Sequence, residues 1–225
     1  MPREGRAGVP AAAGASIGGV AVSAWFDATL FGAVFVTLFV IMDPLGSIPL
    51  FLGLTGGRTN KTRARLAGQA VLVSLLVISL FAVVGQQILD FLGIGIPALQ
   101  GAGGLLLLIV ALELLTDRQD DPSEVPDVNV ALVPLGTPLL AGPGAIVATI
   151  VFVQQAEGAA DRTAIAAGIV AIHLAVYLSL RFSVGITRII RESGIVLLTR
   201  IAGLLLSAIA VQLVADSVRG FLAEG

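Results

Sequence analysis

The chain reads as an all-α polytopic membrane protein, with six transmembrane helices in two inverted three-helix repeats and helices 1 and 4 broken. Three observations predict this. Of 225 residues, 56% are hydrophobic and 12% charged, with a mean hydropathy of +1.00, outside the range of soluble domains. Two apolar runs are interrupted by Pro and Gly, at Asp43-Pro44-Leu45-Gly46 and at Ala141-Gly142-Pro143-Gly144. The chain also matches itself at a single gapless offset of 99 residues.

Residues 1–25 carry Arg3 and Arg6 and then a Gly/Ala-rich run too poor in Leu, Ile and Phe for a signal-peptide core. They are expected to be a disordered extension, with residues 26–225 forming one transmembrane domain. A span needs about 20 mostly apolar residues. Six candidates follow: Ala28–Thr55, Leu66–Leu89, Ile96–Leu115, Val130–Gln154, Ala164–Ile186 and Ile195–Phe221. Pro44 and Pro143 fall inside the first and fourth, where a proline removes a backbone donor and clashes with the preceding turn. Gly56 to Lys61 closes the first span, and a polar stretch from Asp117 to Asp127, with Pro122 and Pro126, divides the chain.

The offset sets residues of about 28–117 against about 127–216. Pro44 falls on Pro143, Arg63 on Arg162, Ala67 on Ala166 and Val71 on Val170. From Gly95 onward, Gly95, Ile96, Leu99, Gly104, Ala111 and Asp117 each meet their own kind. Leu-rich helices match one another by chance at Leu, but not at aligned Gly, Pro and Asp. Three spans per half is an odd number, so the second half enters the membrane the opposite way. Lys and Arg collect on the cytoplasmic side. The first connection of the first half holds Arg58, Lys61, Arg63 and Arg65, and its second holds no cation. In the second half Arg162 stands alone at the first connection, while Arg181, Arg188, Arg191 and Arg200 surround the second. Both chain ends are therefore expected outside.

Lipid supplies no hydrogen-bond partner, so broken backbone survives only against protein or a water-filled cavity. Paired interrupted segments are the best sequence pointer to the substrate site of a secondary transporter. Half-helices beginning near Gly46 and Gly144 present N–H groups and a positive dipole end that favour an anionic group, and the chain arriving at each break leaves carbonyls for a cation. A neutral amino acid carries both charges. Asp43 is the candidate for coupled proton uptake, because a carboxylate this deep must face a cavity or a partner. It is equally placed to cap the following half-helix. Glu113, a turn from the end of its helix, is read as snorkelling to the interface, and Arg200 as an interfacial anchor. His173 is read as a satisfied interior histidine, and Ala164, Gly168 and Gly203 as close-packing positions.

Composition also excludes. With no cysteine and one histidine, disulfides, thiolate sites and histidine-rich metal centres are ruled out, and no cofactor or metal is expected. A net charge of −2 argues against nucleic acid. Ser74, Ser79, Ser179 and Ser207 with the single His173 form no recognisable catalytic arrangement, so no enzyme activity is expected.

Three strings carry a family likeness: Asp43-Pro44-Leu45-Gly46-Ser47-Ile48-Pro49-Leu50-Phe51-Leu52, Val133 to Ile146 with its Pro-Leu-Leu-Ala-Gly-Pro-Gly-Ala-Ile core, and Arg200 to Ala210. In these, from about Phe26 to Phe221, the chain resembles the MarC family of bacterial and archaeal inner-membrane proteins. The resemblance implies six spans in two inverted halves and transport of small neutral amino acids such as alanine and glycine. By position it implies a substrate site lined by Asp43, Pro44, Gly46 and Ser47 with Gly142, Pro143 and Gly144. The expected partners are thus the bilayer, a small polar solute and a coupling proton or cation, and a homo-oligomer is compatible with the sequence. The alternative is an exporter of another small metabolite or drug on the same scaffold.

Overall fold

The computed structural model describes residues 26–116 and 140–224. The N-terminal extension and the polar divider between the halves lie outside the described residues, as do residues 127–139 of the expected second repeat. All regular structure among the described residues is helical: α1 (Ala28–Met42), α2 (Ser47–Leu54), α3 (Asn60–Leu92), α4 (Ile96–Thr116), α5 (Pro143–Gln154), α6 (Ala159–Arg181) and α7 (Ser183–Glu224), the last kinked at Arg191, whose backbone (φ +61°, ψ 165°) is not helical. Four stretches are long and apolar enough to cross a membrane, namely α3, α4, α6 and residues Ser193–Ala223 of α7. The bent pair α1–α2, at 49°, makes a fifth. The expected fourth span appears only as its second part, α5.

Local chemistry sets most of the ends. Asp27 caps α1, its Oδ1 accepting from Thr29 N at 2.8 Å and Leu30 N at 2.9 Å. Thr59 caps α3 through Thr62 N, and Gly93, at φ +67°, closes it in the left-handed conformation that glycine adopts without a Cβ penalty. Pro143 stands at the first turn of α5, where its missing N–H costs nothing. One boundary differs from expectation. The fifth span was expected to run to Ile186, but α6 stops at Arg181 and Ser183 already belongs to α7. Phe182 leaves the helical region at the junction, and no proline or glycine at that residue announces it.

Two packed clusters hold the bundle. The larger joins α1, α2, α3, α5 and α6 through Leu38, Phe51, Ala70, Ile78, Ala145, Ile172 and Val176. The smaller joins α1, α4 and α7 through Val40, Leu107, Ala111, Leu206 and Ala210. Leu72, Leu76, Leu80 and Val83 form an exposed stripe at helical spacing along α3, and Leu105, Ile109 and Leu112 do so on α4. So much outward apolar surface is a liability in water and natural against lipid.

α4 and α7 run antiparallel in close contact. A Cβ on Gly220 would meet Pro97, on Gly101 Ser217, on Gly104 the Ala210 carbonyl at 2.8 Å, and on Gly203 the Ala111 carbonyl at 3.3 Å. The last two contacts are reciprocal at the 99-residue offset, since Gly104 corresponds to Gly203 and Ala111 to Ala210. Glycine at both places lets the backbones approach. α3 and α6 are likewise antiparallel, with Gly68 against Tyr177, and Ser74 Oγ lying 3.1 Å from His173 Nε2.

Candidate functional site

The first break is built around Asp43. Its backbone adopts φ +35°, ψ 73°, a left-handed conformation that Asp tolerates better than most residues. That turn ends α1, with the Asp43 N–H donating to the Phe39 carbonyl at 3.1 Å. The side chain then reaches forward. Asp43 Oδ1 accepts from Gly46 N at 3.0 Å, and the Asp43 carbonyl accepts from Ser47 N at 3.0 Å and Ser47 Oγ at 2.9 Å. Ile48 N donates to the Leu45 carbonyl at 3.1 Å. The N-terminus of α2 is thus already served from within the chain. Asp43 is only 9% exposed, and its Oδ2 meets no donor in hydrogen-bond geometry among the described residues, although the Thr199 hydroxyl stands beside it across Gly46. A Cβ on Gly46 would collide with the Asp43 carboxylate and lie 2.7 Å from Thr199 Oγ1, so this position must be glycine for the carboxylate to sit there.

The second break is chemically different. Gly142 occupies the place that Asp43 holds in the first half, and no side chain caps α5. Ala145 N and Ile146 N close onto the Gly142 carbonyl at 3.0 and 3.2 Å. Leu140 and Ala141, before the break, are buried in the larger cluster together with Met42, the last residue of α1. The two breaks therefore border one packed region. Gly144 was expected to line the substrate site, and Leu107 occupies the space where a Gly144 Cβ would project. Thr149, further along α5, is buried with its hydroxyl unpaired among the described residues.

Of the expected site residues, Asp43, Pro44, Gly46 and Ser47 lie together in one turn, and Gly142, Pro143 and Gly144 start α5. Thr199 was not expected near Asp43. It is Gln100's counterpart at the offset and carries no signal that distinguishes it from any other span-opening threonine. His173 is 2% exposed, with Nδ1 2.7 Å from the Ile169 carbonyl, which can only accept. Nδ1 thus carries the proton and the neutral ring accepts from Ser74 at Nε2. Both ring nitrogens are engaged, and the pair ties α3 to α6. Glu113 and Arg200 are exposed.

Two cavities open at opposite ends of the α3–α6 pair. One, of about 560 Å³, is lined by Gln86, Gln87 and Arg162 above Ile165 and Ile169. The other, of about 190 Å³, is lined by Asn60, Arg63, Arg181 and Ser183. Arg63 and Arg162 are counterparts at the offset. Among the described residues no group of His, Asp and Glu is placed to hold a metal ion.

Spanning helices, a lipid-facing apolar stripe and a broken helix with a buried carboxylate define an integral, multi-pass α-helical membrane protein. The MarC family model, described as MarC family integral membrane protein, matches residues 28–222, and the chain belongs to that family. A UPF0056 membrane protein of Methanocaldococcus jannaschii is 35% identical, over 87% of this chain and 99% of its own length. One from Archaeoglobus fulgidus is 35% identical, over 84% and 92%. The UPF0056 membrane protein YhcE of Escherichia coli is 29% identical, over 88% and 96%. No solved structure matches the chain.

Proposed function

We propose that the chain is a secondary transporter of small neutral amino acids, of the size of glycine and alanine, in the inner membrane. The observation that carries this reading is the Asp43 carboxylate: buried at a broken membrane helix, with one oxygen accepting from the Gly46 N–H and the other, beside the Thr199 hydroxyl, without a partner in hydrogen-bond geometry among the described residues. An unpaired buried carboxylate oxygen is costly unless a cation or a proton joins it. A substrate ammonium, or a coupled proton, fills that role. The substrate carboxylate goes to the uncapped N-terminus of α5, taking in the second half the place that Asp43 fills in the first. Pro44, Gly46, Ser47, Gly142, Pro143 and Gly144 supply the backbone around it.

The reading includes six spans in two inverted halves. The reciprocal Gly104–Ala210 and Gly203–Ala111 contacts support it, because two antiparallel helices related by a two-fold axis have that axis perpendicular to them, in the membrane plane. Orientation follows from the cations. Arg63 of one half and Arg181 of the other share one cavity, so the basic connections of both halves gather at one end, read as cytoplasmic, with both termini outside. The 560 Å³ cavity favours a second reading, export of a larger metabolite or drug, since it exceeds what glycine or alanine needs.

Uptake of labelled glycine and alanine into proteoliposomes, with and without a pH gradient, tests the proposal. Saturable uptake that Pro143→Ala removes at equal insertion supports it. Absence of uptake in either direction, with a larger solute competing for nothing, rejects it.

A further inference from the structure

We propose that the cavity between the start of α3 and the α6–α7 junction is a binding site for the phosphate of an anionic phospholipid headgroup. Two guanidinium groups, Arg63 and Arg181, line a space of about 190 Å³ together with Asn60 and the side chain of Ser183, which is 2% exposed. Among the described residues no carboxylate lines it and neither arginine forms an ion pair. Arg63 is held in place from below, its Nε donating to the Thr55 carbonyl at 3.3 Å, which leaves both terminal amino groups without a partner among the described residues. Arg181 lies 5.5 Å from the centre of the Phe182 ring, and among the described residues no hydrogen bond ties it down. Two arginines lining one small cavity match an anion in charge, and guanidinium groups are suited to binding phosphate oxygens.

The surroundings select a lipid over a free ion. Phe182 and Val184, on the rim, are exposed apolar side chains that acyl chains cover, so the cavity sits where a headgroup meets its tails. Arg58, Lys61 and Arg65 flank the same end and add to the field that draws anionic lipid to basic pockets between membrane helices. The opposite cavity is the internal contrast. There Arg162, the counterpart of Arg63, is accompanied by Gln86 and Gln87 and no second cation. The site does not depend on the transport reading.

Native mass spectrometry of the full chain in detergent, with phosphatidylglycerol and phosphatidylcholine added in equal amounts, reads the preference directly. The wild type should retain phosphatidylglycerol roughly tenfold over phosphatidylcholine, as two charge-assisted pairs warrant. Arg63→Gln/Arg181→Gln should lose that preference and Arg162→Gln should keep it. Arg63 also supports the Thr55 turn, so the exposed Arg181→Gln alone carries the test if the double variant does not fold. Its preference should fall at least threefold. An unchanged preference in Arg181→Gln overturns the site. Displacement of the lipid by equimolar inorganic phosphate overturns the lipid assignment in favour of a free anion.

Discussion

Ser74 and His173 stand 3.1 Å apart and occupy the same position of the two halves, separated by 99 residues. In the two-fold arrangement proposed above, a residue that touches its own counterpart lies beside the axis relating the halves. The pair therefore marks the centre of the α3–α6 contact, and its chemistry is a tie: hydroxyl to Nε2, Nδ1 to the Ile169 carbonyl. Ser74→Ala should strand Nε2 in an apolar interior at a cost of about 0.6–1.7 kcal/mol, the range for such bonds between membrane helices. Ser74→Ala/His173→Leu should recover part of that loss, because removing both partners leaves nothing unpaired. Thermal unfolding in detergent, followed by circular dichroism, measures both. A double variant less stable than the sum of its singles would mean that the imidazole has a further partner.

The reciprocal glycines predict matched damage. A side chain at Gly104 drives into the Ala210 carbonyl and Val214, and one at Gly203 into Ala111 and Leu114. Gly104→Val and Gly203→Val should each destabilise by about 1–3 kcal/mol. Gly32→Ala, with nothing within 4 Å of its Cβ, should be neutral or better through helix propensity. The same unfolding assay decides. Damage at one glycine and none at the other would count against a two-fold relation between α4 and α7.

Asp43 holds the turn at the break and, on the proposed reading, lines the site, and substitutions separate the two. Asn keeps an acceptor for Gly46 N and tolerates the left-handed turn, so Asp43→Asn should stay within about 0.5 kcal/mol of the wild type. Asp43→Ala loses the cap and should cost about 1–2 kcal/mol. In proteoliposomes Asp43→Asn should abolish the response of uptake to a pH gradient. Retention of that response would remove Asp43 as the coupling group while leaving it as the cap.

Orientation is open to direct labelling. With single cysteines at Asn60 and Gly158, an impermeant reagent applied to intact cells should modify the second and spare the first. The reverse pattern would invert the topology.

The sequence carried the break positions because Pro and Gly act through local sterics that need no tertiary context. α2 begins one residue after Gly46 and α5 at Pro143, as the motifs implied. The offset likewise paired Gly104 with Gly203 and Ala111 with Ala210, the residues of the reciprocal contacts. What was not legible depends on packing. Nothing in the string Leu180-Arg181-Phe182-Ser183 marks the helix junction, and nothing places Thr199 beside Asp43 or Leu107 against Gly144. These follow from how α4 and α7 cross the breaks, and neighbours from a distant segment leave no trace in local pattern.

Helix lengths act as a depth gauge. At 1.5 Å per residue, α1 rises roughly 22 Å and α2 roughly 12 Å, together close to the ≈ 30 Å hydrocarbon layer. Asp43 therefore sits about 12 Å beneath the surface at which α2 ends. α5 rises roughly 18 Å from Pro143 toward the opposite surface, which puts Pro143 about 12 Å from that same first surface. Both breaks lie at one level, off centre. On the transport reading proposed above, a solute held there is separated from one compartment by a thin wall and from the other by a thicker one, and the thinner wall, on the side of the arginine-rich connections, is the one that a small movement of α2 would open.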